Sequence, residues 1–239
     1  MKRSRPRRLP QPVPVLVKSE RTRAAILDAA LEFLWEHPFR EMTVSRLMAR
    51  TAVSRSAFYQ YFHDLHGLIE FLLADLREDI MAGAIPWFAG TGEVTGLLRQ
   101  SLAALVRVGY EKGPILKAVS DAATNDERLE RAWLELLQHF DEVVAARIEA
   151  DQRQSLIPEL DARAIAKAFN RMDAYSLIDA FGEHPRAEPE PLLRAIERIW
   201  ISTLYVPGQG ETESPLVRAA DELTMAADQG APGEIKTIF

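Results

Sequence analysis

Arg55, Ser56, Tyr59 and Gln60 fall at spacings that put all four on one side of a helix. Their chemistry suits a surface lined with phosphates and base edges. A guanidinium can hold a guanine edge through two parallel hydrogen bonds, and the hydroxyl, phenol and amide can reach phosphate oxygens or bases. No carboxylate interrupts the set. The flanking residues 43–62, TVSRLMARTAVSRSAFYQYF, read as two short helices joined by a tight turn. Thr43 and Ser54 are the expected N-caps, each with a hydroxyl that can accept from a backbone N–H at a helix start. Val44, Leu47 and Met48 give the first helix an apolar side, and Ala57, Phe58, Tyr61 and Phe62 give the second its buried side. This is helix-turn-helix geometry, in which the N-terminal part of the second helix enters the major groove. Thr43, Arg46, Ser54, Arg55, Ser56, Tyr59 and Gln60 are therefore the candidate DNA-binding residues.

An amphipathic helix pair could equally be a hairpin that packs and binds nothing, and charge separates the two readings. Residues 1–63 hold 12 Lys+Arg against 5 Asp+Glu, a net +7, while the remaining residues hold 17 against 30, a net −13. The sequence pI of about 5.5 thus conceals a basic head on an acidic body. Such asymmetry favours a protein with one nucleic-acid-binding end.

The elements that must position this reading surface follow in order. Residues 1–18 form a basic, Pro-rich arm expected to be disordered or to contact DNA beside the head. Helix one is expected to open at Ser19 or Glu20 and to run to about Glu36, with Ile26, Ala30, Phe33 and Leu34 covering the helix-turn-helix. Asp64 should cap a linker helix reaching about Met81, apolar at Leu68, Ile69, Leu72, Leu73 and Leu76. Gly83, Pro86, Gly90 and Gly92 then punctuate the chain, and the expected domains are 19–83 for DNA binding and 84–205 for a body.

The body reads as helix throughout, so the expected fold is all-α: a helix-turn-helix domain followed by a helical bundle. Helices are expected over 91–112, stopping at Gly113-Pro114, and over 115–124. Others follow from Asn125 or Asp126 to about Ser155, from Asp161 to Phe181, and from Pro189 to near Tyr205. Residues 206–239 form a tail with one weakly amphipathic piece over 214–228. No apolar run approaches the ~18 residues of a membrane span. With no Cys, disulfides and thiolate metal sites are excluded, which fits a cytoplasmic protein. The chain lacks HExxH, GxSxG and phosphate-loop motifs, so neither catalysis nor a cofactor is expected. Glu135/His139 and His63/His66 have metal-ligand spacing, but two ligands fall short of a site.

On these residues the stretch 21–72 resembles the DNA-binding domain of TetR-type transcriptional regulators, most closely at VSRSAFYQYF, residues 53–62. Met48, Thr51 and Ala52 stand where that family prefers Ala, Ala and a turn Gly, and Leu65 replaces a common phosphate-binding Lys. Ala52 is the position where strain is expected, since a residue with a Cβ enters the left-handed region reluctantly. The segment from about 109 to 205 is similar to the ligand-binding body of EthR-type members, through KAVSDAATNDERLERAW, AIAKAFN (164–170) and ERIWISTLY. The resemblance implies a homodimeric repressor that binds a palindromic double-stranded DNA operator and is released by a small, largely apolar effector. An architectural DNA-binding protein or activator without ligand response is the alternative.

The implied dimer surface lies on the last two long helices. Ile165, Ala168, Met172, Leu177 and Phe181 are available on one, and Leu192, Leu193, Ile196, Ile199, Trp200 and Leu204 on the other. Polar residues within apolar helices mark the ligand site. Asn170 and Asp173, three apart, share a face, and Asn170 and Trp200 match pocket positions of the EthR type. Asp173 stands where a second family Asn is found, so the polar end of the pocket can be anionic. Tyr110, Trp133, Phe140 and Val106 complete the candidate ligand-binding set, and Gly109 is the expected cavity-filling position.

Overall fold

The short reading helix cannot stand alone, because isolated helices under about a dozen residues are marginal in water. The computed structural model describes residues 15–205, and among them it shows how the rest of the chain supports that helix. Helix α1 spans Val15–Glu36, a single 3-10 turn follows at Phe39–Glu41, and α2 and α3 occupy Val44–Met48 and Arg55–Tyr61. Then come α4 (Leu65–Ala89), α5 (Val94–Ala123), α6 (Glu127–Arg153), α7 (Ala162–Phe181) and α8 (Pro189–Leu204). There is no strand among the described residues, and the fold is all-α.

Ile26, Ala30, Phe33 and Leu34 of α1 are buried against Leu47, Phe58, Leu68, Ile69 and Leu72, forming the core of the head. Each such side chain removed from water stabilises by about 1.5–3 kcal/mol. That is ample to hold a helix as short as α3. In the body α5 is central, packed against α4, α6, α7 and α8 and, towards its end, against α1.

Helix α1 begins at Val15, not at residue 19 or 20, because no proline after Pro14 removes a backbone donor. Residues 1–14 of the expected arm and the tail from 206, with its 214–228 piece, lie outside the described residues.

Two expected breaks are absent. Helix α4 continues through Gly83 and Pro86 to Ala89, and α5 continues through Gly113 and Pro114 to Ala123. A proline inside a helix leaves a carbonyl one turn back without its N–H partner. At Pro114 that carbonyl is Tyr110 O, and Arg186 Nη1 donates to it at 2.8 Å. Gly113 is needed for close approach, since a Cβ there would lie 2.3 Å from Phe181 O. Beside Pro86, the Ser101 hydroxyl of α5 accepts from Trp87 N at 3.1 Å and donates to Ala84 O at 3.3 Å. At Pro114 a tertiary partner thus takes the carbonyl that the proline leaves, and at Pro86 Ser101 bonds polar groups of the flanking turn.

The remaining caps agree with the residue types. Asp126 accepts from Arg128 N and Leu129 N, and Asp161 from Ala164 N. Glu93, rather than Thr91, opens α5 by accepting from Thr95 N at 2.9 Å and Gly96 N at 2.6 Å.

Candidate nucleic-acid interface and ligand cavity

Helix α3 is fixed from beneath. Phe58 is 0% exposed and Phe62 is buried beside it, and Tyr61 Oη donates to Ser19 Oγ of α1 at 3.2 Å. Arg55, Ser56, Tyr59 and Gln60 are held outward on the opposite side, Tyr59 at 53% exposure. Thr43 Oγ1 caps α2 by accepting from Arg46 N at 3.1 Å. Ser54 occupies the N-cap of α3 without a side-chain cap bond, and its Oγ lies 3.0 Å from Ser56 Oγ. Arg46 is exposed but turned towards the head, where Nη1 donates to Glu41 O at 2.8 Å. The turn between α2 and α3 is stitched by Thr51 Oγ1, which accepts from Val53 N at 3.1 Å. Ala52 carries no left-handed strain. Ser155 is the only non-glycine with positive φ among the described residues.

The head is clamped to the body at the start of α4. Arg128, in the first turn of α6, reaches Glu70 through Nε at 2.5 Å and Nη2 at 2.6 Å, and Asp64 Oδ2 through Nη1 at 2.9 Å. Asp64 also caps α4. The Gly67 N–H, with help from His63 and Arg128, holds its carboxyl at about 2. His66 Nε2 lies 2.5 Å from Asp126 Oδ2, the carboxylate that caps α6. Further along, Lys112 Nζ of α5 sits 2.6 Å from both Asp75 and Asp79 of α4. Burial alone would lower its pKa, but these two carboxylates raise it. At the end of α1, Trp35 stacks on His184 with ring centroids 4.5 Å apart, and Arg186 lies 5.0 Å from the Trp35 ring and 3.9 Å from that of Tyr110.

A cavity of about 90 Å3 lies among α4, α5, α6, α7 and α8. Asn170, Asp173, Phe140 and Trp200 line it as a group, together with Trp87 and Ser101, which the sequence did not single out. Trp200 stacks on Phe169 at 4.2 Å and meets Trp87 edge-on at 5.6 Å. Asp173 is 4% exposed and receives the Trp200 indole N–H, 3.2 Å from Oδ2. Burial pushes its pKa up to about 8, only partly countered by that hydrogen bond. Asn170 Nδ2 donates to Asp141 Oδ1 at 2.9 Å, and Arg171 pairs with the same carboxylate.

Tyr110, Trp133 and Val106 stand outside this wall. Tyr110 belongs to the Arg186 cluster, Trp133 is buried with its ring 6.4 Å from Tyr175, and Val106 is buried core. Gly109 also stands apart, with an added Cβ meeting Leu177 Cδ2 at 2.6 Å. Trp87 was missed because Pro86 and the nearby glycines read as a linker. Its Nε1 donates to Tyr205 Oη at 2.9 Å, which donates in turn to the buried Asp151 at 2.6 Å. Among the described residues no three His, Asp or Glu converge as a metal site, and no helix is long and apolar enough to cross a membrane.

Comparison with known proteins gives two separate matches along the chain. Residues 26–70 match the family of bacterial regulatory proteins of the tetR type, and residues 98–206 match the C-terminal domain of transcriptional regulator EthR. The HTH-type transcriptional regulator EthR of Mycobacterium tuberculosis is 23% identical over 185 residues, covering 76% of this chain and 86% of that protein. Among solved structures, the fatty acid degradation regulator FadR of Bacillus halodurans superposes with a TM-score of 0.64 at 14% identity, over 74% of this chain and 93% of its own. The TetR-family regulator PfmR of Thermus thermophilus gives 0.62 at 16% identity, over 76% and 99%. With a reading helix held outward on a three-helix head and an EthR-like helical body behind it, the chain is a TetR-family transcriptional regulator.

Proposed function

We propose that the protein is a homodimeric repressor whose hold on a palindromic operator is released by a small, largely apolar ligand. Residues 19–83 form the DNA-reading head, with Arg55, Ser56, Tyr59 and Gln60 on base edges and phosphates, Thr43 and Ser54 beside them, and Arg46 in support. Residues 84–205 form the sensing and dimerising body. The observation that carries this reading is that α4 serves both sites. Its N-terminus is pinned by Arg128 beside the reading helix, and its other end supplies Ile80, Ala84, Trp87 and Phe88 to the cavity wall. A ligand that spreads this wall moves α4, and with it the head. Two heads must match half-sites about one helical turn, ~34–36 Å, apart, so a tilt of each lowers affinity without altering Arg55.

The dimer surface is narrower than the sequence implied. Leu177, Phe181, Ile196, Trp200 and Leu204 are buried within the chain, which leaves Ile165, Ala168, Met172, Leu192, Leu193 and Ile199 for a partner. Tyr175, 53% exposed on α7, joins them.

The test uses a duplex enriched from a random pool by the protein itself. Ala174→Phe, which fills the cavity from α7, is expected to weaken binding to that duplex while the fold is retained. Undiminished binding by a folded Ala174→Phe protein would show that α4 does not transmit cavity occupancy, and an architectural role would replace the sensor.

A further inference from the structure

We infer that the cavity takes an apolar molecule ending in a protonated amine, with Asp173 as its counter-charge and Asn170 as a second acceptor. The inference rests on the sensor reading above and names the ligand class of that site.

Few polar atoms of the wall remain available to a ligand. The Ser101 hydroxyl commits its one proton to Ala84 O and accepts from Trp87 N. The Trp200 indole donates its single N–H to Asp173. Asn170 Nδ2 donates to Asp141. The wall can still offer two acceptors, an Asp173 oxygen and Asn170 Oδ1, three residues apart on one face of α7, beside the second Asn170 N–H and the proton that Asp173 carries while it is neutral. An ammonium brings three donors and no acceptor, whereas an alcohol brings one donor and a carboxylate none. An ammonium can serve both acceptors at once when Asp173 gives up its proton, and charge decides that it does.

Charge points the same way. Asp173 is 4% exposed, yet no Lys, Arg or His lines the cavity on any of the five helices around it. The nearby cations are committed elsewhere, Arg171 to Asp141 on α6 and Arg147 to Asp151 within α6. A carboxylate buried without a cation is strongly disfavoured, which keeps Asp173 protonated near neutrality with its pKa at about 8. An entering ammonium supplies the missing charge. The balance is a proton exchange: the ammonium enters charged, Asp173 gives up its carboxyl proton to solvent, and a buried ion pair forms. The apolar remainder lies along Phe140, Leu102, Leu105 and Val144. A short chain suits a cavity of about 90 Å3.

The experiment is calorimetric titration of the full-length protein at pH 7 with hexylamine, 1-hexanol and hexanoate, which share one apolar chain. Hexylamine is expected to bind about ten- to a hundredfold more tightly than hexanol, as a charge-assisted pair replaces a neutral one. Comparing two buffers of different ionisation heat should show a proton released on hexylamine binding. Asp173→Asn should remove both the preference and the proton release. Equal or tighter binding of hexanol or hexanoate, no binding of hexylamine, or no proton released by the wild type would overturn the inference. The proton count needs no variant, so it decides the matter even if Asp173→Asn misfolds. The sensor reading is tested separately in the same samples: bound hexylamine that leaves DNA affinity unchanged would sink that reading while the ligand class stood.

Discussion

Arg186 Nη1 donates to the Tyr110 carbonyl at 2.8 Å, and its guanidinium lies 3.9 Å from the Tyr110 ring and 5.0 Å from that of Trp35. One side chain from the α7–α8 connection therefore repairs the gap that Pro114 leaves in α5 and ties the end of α1 to the body. The continuity of the central helix depends on a residue 76 positions away in sequence.

This arrangement predicts a rescue. Arg186→Met keeps the aliphatic stem but leaves the Tyr110 carbonyl without a donor, and should lower stability by about 1–3 kcal/mol. In a Pro114→Ala background residue 114 regains an N–H that can serve that carbonyl, so the same substitution should cost distinctly less. Denaturant unfolding of the four proteins in the cycle measures the difference. Equal losses in both backgrounds would show that the carbonyl bond contributes nothing.

The proposed base reader is Arg55, exposed on α3. Arg55→Ala should weaken the selected duplex by about 1–3 kcal/mol and relax preference at one base pair. Tyr59→Phe, lacking only a hydroxyl at an exposed position, should weaken selected and random duplexes alike. Fluorescence anisotropy on both kinds of duplex separates the two roles.

Arg128 should carry the coupling between body and head. Arg128→Met removes the contacts to Glu70 and Asp64 but touches neither the cavity wall nor the exposed face of α3. Hexylamine affinity should be retained while its effect on DNA binding shrinks. A full DNA response in the variant would place the coupling elsewhere, with Lys112 and its two aspartates the next contact to examine.

Asp173 should make stability depend on pH in an unusual direction for a carboxyl. Its pKa is about 8 in the folded protein against an ordinary value of 3.8. Between those values the folded state holds a proton that the unfolded state has released, so this group's contribution declines as pH rises from about 4 to about 8. Asp173→Asn removes the dependence and should be more stable than wild type at pH 7, on the order of a few kcal/mol. Thermal melts from pH 5 to pH 8.5 check it: the difference between the two proteins should widen with pH, and a constant gap would contradict it.

Local chemistry settled much of this protein in the sequence itself. The caps Thr43, Asp64, Asp126 and Asp161, and the buried side of α3 at Phe58 and Phe62, follow from hydrogen-bonding capacity and helical spacing that neighbouring residues alone supply. So does the outward face at Arg55, Ser56, Tyr59 and Gln60, since a helix with one side buried must show the other. The grouping of Asn170 with Asp173 was legible for the same reason. The tertiary structure decided what depends on partners distant in sequence. Pro86 and Pro114 read as breaks because local rules count the lost N–H but cannot see Arg186 arriving to replace it at Pro114, or Ser101 bonding the turn around Pro86. Tyr110, Trp133 and Val106 matched a pocket wall by residue type, yet their rings and side chains face other neighbours. Trp87, hidden behind a proline, became part of that wall. Even the charge of Asp173 was settled there, because ionisation of a buried carboxyl depends on whether a cation packs beside it, and here none does.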